Sequence, residues 1–486
     1  MNKNIKAILA CTGVLALAGG GYAALMLTDS APDTATSASD EPIATLPAPI
    51  LENDKADIVS ITSENKDGGF EAAANGKTDD EGNPELEVKG LDGLKQNDTV
   101  LLSLINASST LSCDGVVSEG EKDFDKYGLK DPQAKVTIKL KSGEKVLLIG
   151  NESPQSGETY CMIEGGDTVY LSGTSAVSVF LNRKENFLDL SLIPTNEDGS
   201  KPTAENVKIQ REDLDYDINL TLDATESTTG NKVGTMATHV MTEPINCYLD
   251  AEKSTDAVQA FFGMNAYAAV TAHPTDEEKK AMQLDKPFCT VEMNVQGGES
   301  YTLKIGKELD IAEGKYRALM LNDIDIVYAV SEDELCWVTL KPDDIISRMI
   351  FGTYVWDIGR LKIDVKDGES AEFIGSGKDE NDYKLTKNGS SASASRFKEF
   401  YQFLLKASAE EFDITATPEG DPDLSILLET QDKSVTQTIE FYPADGKKSL
   451  IVVNGVPCFK CRTAYVQLLK ENLAKFDTNE EFVTNW

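Results

Sequence analysis

Histidine is scarce in this chain. Among 486 residues there are two, His239 and His273, too far apart in sequence to suggest a metal pair or a triad. His273 precedes Pro274 and reads as a loop or cap residue. No serine stands in a Gly-x-Ser-x-Gly elbow, which excludes that nucleophile turn. Gly375-Ser376-Gly377-Lys378 runs into Asp379 and has no upstream glycine at phosphate-loop spacing. Asp79-Asp80-Glu81-Gly82-Asn83 is acidic but lacks EF-hand spacing, so it reads as a solvated loop. Basic residues are also in short supply: Lys and Arg number 46 against 82 Asp and Glu, a formal charge of -36. Such a surface repels phosphate backbones, which argues against nucleic acid, and it suits a well-hydrated protein. The sequence thus offers no catalytic residue, no cofactor site and no metal site.

Eight cysteines spread over this length make no disulfide scaffold, although pairing of distant cysteines stays open. Cys161, Cys289 and Cys336 lie in apolar patterns, where cysteine behaves as a small hydrophobe. Cys458-x-x-Cys461 is the one paired spacing. Zinc needs a second pair or added histidines, and neither is present. Cys461 does precede a helix, as a redox motif requires. Against that, the segment aligns with the last strand of a repeated meander, where residues three apart are too distant to bridge. Phe459 falls with Tyr170 and Tyr328, and Cys461 with Ser172 and Val330.

What the chain does have is a repeat. Tyr127 to Gly150, YGLKDPQAKVTIKLKSGEKVLLIG, reads as loop, strand, turn and strand. Val136, Ile138 and Leu140 share one face and Lys135, Thr137, Lys139 and Lys141 the other, the period of a half-buried strand. Pro132 opens the strand and Ser142-Gly143 supplies the turn. Gln283 to Gly306 repeats the pattern 155 residues later, with Pro287 for Pro132 and Ile305-Gly306 for Ile149-Gly150. A fainter copy starts at Asp421-Pro422 and lacks the closing glycine. Fixed-period similarity of this kind predicts tandem units.

Three α+β units follow, at residues 57–204, 205–358 and 359–486, each an antiparallel meander with helices on one face. Asn97-Asp98 caps the first unit's main helix, Ser254 the second's and Ser395 the third's. Ser331 starts a further helix that runs, with a break at Pro342, to Met349. Ala464 to Phe476 forms the last helix, and Asp223 to Lys232 a long polar loop.

Ahead of the units, Lys3 and Lys6 precede an uncharged run of 21 residues, Ala7 to Leu27. That length spans a bilayer as a helix, and the flanking charge sets the N-terminus inside. Residues 1–27 therefore read as a transmembrane signal-anchor, with a signal peptide cleaved near Ala16-Leu17-Ala18 as the competing reading. Either places the rest of the chain outside the cytoplasm, as a single-pass protein of the cell membrane. Residues 28–56, rich in Ser, Thr, Ala, Asp and Pro, read as a flexible linker.

At the organising stretch the chain resembles the domain-of-unknown-function-4340 family. The matching features are Tyr127-Gly128-Leu129 with Pro132, the Ile149-Gly150 strand end, and Tyr160 followed by Val169-Tyr170. The second unit repeats them with Gln283 in place of the glycine, and with Tyr316 and Val327-Tyr328. The motif is structural and carries no catalytic residue across. The resemblance implies an accessory extracytoplasmic part of an ABC-type transport system, with the permease as a membrane-protein partner. The expected function is a non-catalytic, membrane-anchored binding or scaffold protein. A solute- or glycan-binding protein and a thiol redox enzyme using Cys458 and Cys461 are the alternatives.

Overall fold

Three large antiparallel sheets carry the fold, of eight, nine and nine strands, and helices pack against them, an α+β architecture. The computed structural model describes residues 48–155, 157–223, 237–407 and 409–485. The anchor expected over 1–27, most of the linker over 28–56 and nearly all of the loop from Asp223 to Lys232 lie outside the described residues. No described helix is long and apolar enough to cross a membrane.

Each sheet draws on one stretch of chain. In space the first runs Pro84–Val88, Phe70–Thr78, Ile58–Asn65, Ala134–Leu140, Gly143–Glu152, Thr159–Ile163, Val169–Ser172 and Gly115–Ser118. The second follows the same order about a central pair, Ala204–Arg211 and Cys289–Val295, and the third about Ile358–Val365 and Leu424–Thr430. Both add a short ninth strand at one edge, Cys247–Tyr248 and Ser390–Ala392.

The registers agree residue by residue. Ala134 lies opposite Ile149, Ile149 opposite Cys161 and Cys161 opposite Tyr170. The row recurs as Cys289, Ile305, Leu319 and Tyr328, then as Leu424, Phe441, Ile451 and Phe459. Pro132, Pro287 and Pro422 each stand two residues ahead of their row. The first strand of each sheet slips register at the same place, between Ile58 and Ser60, Ala204 and Asn206, and Ile358 and Arg360. A bulge adds local twist and is a built feature of a sheet.

Alternation puts one face of the long central strands into the core. Val136, Ile138, Leu147 and Ile149 join a continuous cluster of buried side chains that runs from Ile50 to Phe476. The opposite face of the first hairpin has its own small cluster, Tyr127, Leu129, Leu148, Met162 and Val169. Leu284, Ala318, Met320 and Val327 form its counterpart on the second sheet. These clusters give the family-like motif a physical meaning. The Tyr127-Gly128-Leu129 loop lies across the sheet, so close that a Cβ on Gly150 would be driven into the Tyr127 carbonyl oxygen. A Cβ on Gly306 would meet the Met282 carbonyl in the same way. The third sheet has Tyr442 at that position, half-buried, with its hydroxyl donating to Glu440.

Gly128 turns the loop with φ 69°, and Gln283 holds the same left-handed turn at φ 56°. A residue with a Cβ pays for that conformation by about 1–2 kcal/mol, while glycine returns part of the gain as unfolded-state entropy. Gln283→Gly is therefore expected to stabilise the protein by about 0.5–1 kcal/mol, read as a rise in urea midpoint at unchanged slope. A fall in the midpoint would show that the Gln283 side chain holds the loop.

Several local expectations change. Residues 48–56 are not linker: Leu51–Glu52 pairs with Thr110–Leu111, and Ile50 and Leu51 are buried. A two-residue strand has too little sequence to signal itself. The Ser254 helix covers only Thr255–Gln259, and Ser254 makes no side-chain cap. It stops because Met264–Asn265 is drawn into pairing with Ser191–Ile193. The helix expected from Ser331 is instead two short 3-10 turns and Pro342–Ile345. In the third sheet the cap is Ser393, whose side chain accepts from the Arg396 N–H, and the helix is Ala394–Leu404. Asn97 caps Asp98–Ser109, accepting from Thr99 and Val100. Thr463–Ala474 is the last helix.

Candidate functional site

The groups that sequence singled out are tied into the fold. Phe459 lies opposite Ile451 and Cys461 opposite Ser449, in the strand Val456–Arg462. Val452 pairs with Pro457 and Ile451 with Phe459, so Cys458 is the extra residue of a bulge. The Cys461 thiol is buried, and burial with the Glu410 charge behind it pushes its pKa up to about 12. Burial likewise pushes Cys161, Cys289 and Cys336 up to about 12. An attacking thiol needs the opposite shift.

His239 is buried at the start of a strand. Its Nε2 lies 2.8 Å from the Ala204 carbonyl, so it carries the proton, and Nδ1 lies 2.8 Å from the Thr238 hydroxyl. Desolvation lowers its pKa. His273 sits in a loop at φ 50°, 3.5 Å from Asp325. Asp79 closes a hairpin turn: Oδ1 accepts from the Glu81 and Asn83 N–H groups, and Oδ2 from the Asn83 amide. The Lys378 N–H, which a phosphate loop would present to an anion, donates to Asp382 at 2.6 Å. Among the described residues no three His, Cys, Asp or Glu side chains converge as metal ligands.

The His239 shift has a consequence for pH. Its folded pKa lies below the unfolded value of about 6.5, so the unfolded chain binds the proton more tightly. The stabilisation is present above the unfolded pKa and lost as pH falls through the window down to the folded one. His239→Gln removes the titration. The stability difference between wild type and variant is expected to shrink between pH 7.5 and 5.5, by at most about 1.4 kcal/mol per pH unit. Parallel urea midpoints of the two proteins at all pH values would contradict it.

A cleft of about 440 Å³ lies between the second and third sheets. Tyr248, Met349, Ile350, Val435 and Phe459 supply its apolar lining. Gln437 crosses it to donate to the Ile350 carbonyl at 3.0 Å, and Asn454 accepts from the Thr438 N–H at 2.9 Å. The polar groups named here serve the junction, so the cleft offers shape and apolar surface more than convergent chemistry.

Sequence reasoning passed over two arginines that join the sheets. Arg183, which follows the first sheet, donates Nη2 to the Ala269 carbonyl of the second sheet's edge at 2.7 Å. Arg348, which follows the second sheet, donates Nη1 to the carbonyls of Ala409 and Glu410, at 2.8 and 3.0 Å, just before the third sheet's edge strand Glu411–Phe412. A single arginine between elements has no periodicity to flag it.

The model of a domain of unknown function, DUF4340, matches residues 87–287. This stretch is a DUF4340 domain. The DUF4340 match takes in the Tyr127–Gly150 loop and hairpin with its closing strands, and it crosses into the second sheet. It stops just short of the second hairpin, Cys289–Leu309. The residues that close the small outer cluster of the first sheet therefore all lie inside the DUF4340 stretch. No curated protein and no solved structure matches the chain.

Proposed function

We propose that the chain is a non-catalytic, membrane-anchored, extracytoplasmic binding or scaffold protein. It is built of three tandem α+β units, residues 57–204, 205–358 and 359–486, and works by contact beside a membrane complex, such as the permease of an ABC-type transport system. The observation that carries this reading is the recurrence of one strand order, with the same bulge, in three successive segments. Repeated layers multiply surface, and a contact protein uses surface. The anchor rests on the uncharged run from Ala7 to Leu27 behind Lys3 and Lys6. Anchoring raises the effective concentration for partners in the same membrane. A charge of -36 opposes resting on anionic lipid.

Crosslinking in native membranes followed by mass spectrometry tests the reading, with recovery of the same integral membrane protein as the expected result. Protease added to intact cells is expected to digest the units; protection would overturn the orientation. Recovery of no membrane protein, together with a small ligand bound by the protein, would replace the reading with a solute- or glycan-binding one. The cleft beside Tyr248 and Phe459 favours that second reading, since aromatic walls suit a sugar face or an apolar solute.

A further inference from the structure

The edge strand Ala268–Ala272 of the second sheet is covered by the chain that precedes it. Arg183 bonds the Ala269 carbonyl, Ser191–Ile193 pairs with Met264–Asn265, and Ala269 is 4% exposed. The third sheet's edge is approached in the same manner by Arg348.

The first sheet's edge strand, Gly115–Ser118, has the same backbone as Ala268–Ala272. Val116 lies opposite Tyr170 as Ala269 lies opposite Tyr328, and each strand bulges at the next residue. The Asp114 N–H donates to the Leu171 carbonyl, and the Tyr267 N–H to the Ala329 carbonyl, both at 2.8 Å. Leu51–Glu52 pairs with Thr110–Leu111 as Ser191–Ile193 pairs with Met264–Asn265. The likeness ends on the outer side. Val116 is 47% exposed and Val117 38%. Arg183 stands ten residues before Ile193, the residue opposite Met264; the residue ten before Leu51, opposite Leu111, is Glu41. Asp114, Glu119 and Asp123 around the strand are acidic and exposed.

The geometry points to Gly115–Ser118 as a docking edge for an extended, arginine-bearing segment of a partner protein, whose guanidinium donates to the Val116 carbonyl. Val116 and Val117 supply the apolar contact, and the acidic rim selects the basic partner. A sheet edge takes such a segment through main-chain groups, with the side chains setting specificity. This deepens the binding reading above and rests on it.

The chain's own covering segment is the probe. A labelled peptide with the sequence of residues 181–193 is titrated with the full-length protein and followed by fluorescence anisotropy. Saturable binding that weakens with salt is expected, since the contact is charge-assisted. Val116→Lys is expected to weaken it at least tenfold, a peptide with Arg183→Glu likewise, and Leu102→Lys, on an exposed helix face, is expected to leave it unchanged. Circular dichroism and urea midpoints of the variants check that the fold is kept. Absence of binding, or equal binding by Val116→Lys, overturns the proposal. A dimer that Val116→Lys dissolves would assign the edge to a second copy and overturn it too. Crosslinks to a membrane protein that map to other surfaces would sink this edge while leaving the scaffold reading in place.

Discussion

Gly150→Ala is expected to destabilise the protein by about 3 kcal/mol, and Gly306→Ala by a similar amount. The reason is a backbone oxygen. A Cβ at either position is driven into the carbonyl of the loop above it, Tyr127 or Met282. The Leu129 and Leu284 side chains close in from beside it. A long side chain could swing away, but a loop carbonyl moves only if the loop lifts, and lifting it opens the outer cluster of Tyr127, Leu129, Leu148, Met162 and Val169. The third sheet is the internal control. Tyr442 holds the same register position and is only half-buried, so the backbone there leaves room for a side chain, and Tyr442→Ala is expected to cost under about 1 kcal/mol. Urea denaturation followed by circular dichroism measures all three. A Gly150→Ala protein within about 0.5 kcal/mol of wild type would show that the loop is free to shift, and the motif would lose its structural explanation.

The second large effect belongs to Trp337. It is fully buried, stacks on Phe261 with ring centroids 4.2 Å apart, and donates its indole N–H to the Ala257 carbonyl at 2.9 Å. Its own carbonyl and that of Leu340 accept from Arg211, whose side chain is 2% exposed and forms an ion pair with Asp213. Trp337 therefore ties a 3-10 turn, the short helix Thr255–Gln259 and the central strand of the second sheet together. Trp337→Ala removes the largest core side chain here and leaves a cavity, at a cost of about 4 kcal/mol. Trp337→Phe keeps most of the stacking and loses only the donor, at a cost of about 1–2 kcal/mol. The ordering of the two variants is the test. A phenylalanine variant as unstable as the alanine one would mean that the hydrogen bond, and not the packing, holds the turn.

Much of the first two hairpins is legible in the sequence. Alternation of apolar and polar residues in Ala134–Leu140 reports burial of one face, and that is a local property of the chain. The alignment of Phe459 with Tyr170 and Tyr328 was legible for the same reason, since the registers put all three in one row. Helix ends were less legible. Ser393 and Ser395 are both serines followed by a helical pattern, and the choice of Ser393 depends on which hydroxyl meets the Arg396 N–H. The edge strands were hidden by shortness: Leu51–Glu52, Cys247–Tyr248 and Glu411–Phe412 are too brief to alternate.

By itself the sequence determined the α+β class, the repeated hairpin, the caps at Asn97 and the acidic, histidine-poor character of the chain. Those follow from residue type and spacing, which act over a few neighbours. Tertiary structure decided why Gly150 and Gly306 are glycines, where Arg183 and Arg348 reach, that Cys461 and His239 are held as buried neutral groups, and that Gly115–Ser118 stays exposed while Ala268–Ala272 is covered. Each of these depends on contacts between residues tens of positions apart. A lone glycine, arginine or valine carries no local signal of the neighbour that the folded chain brings against it.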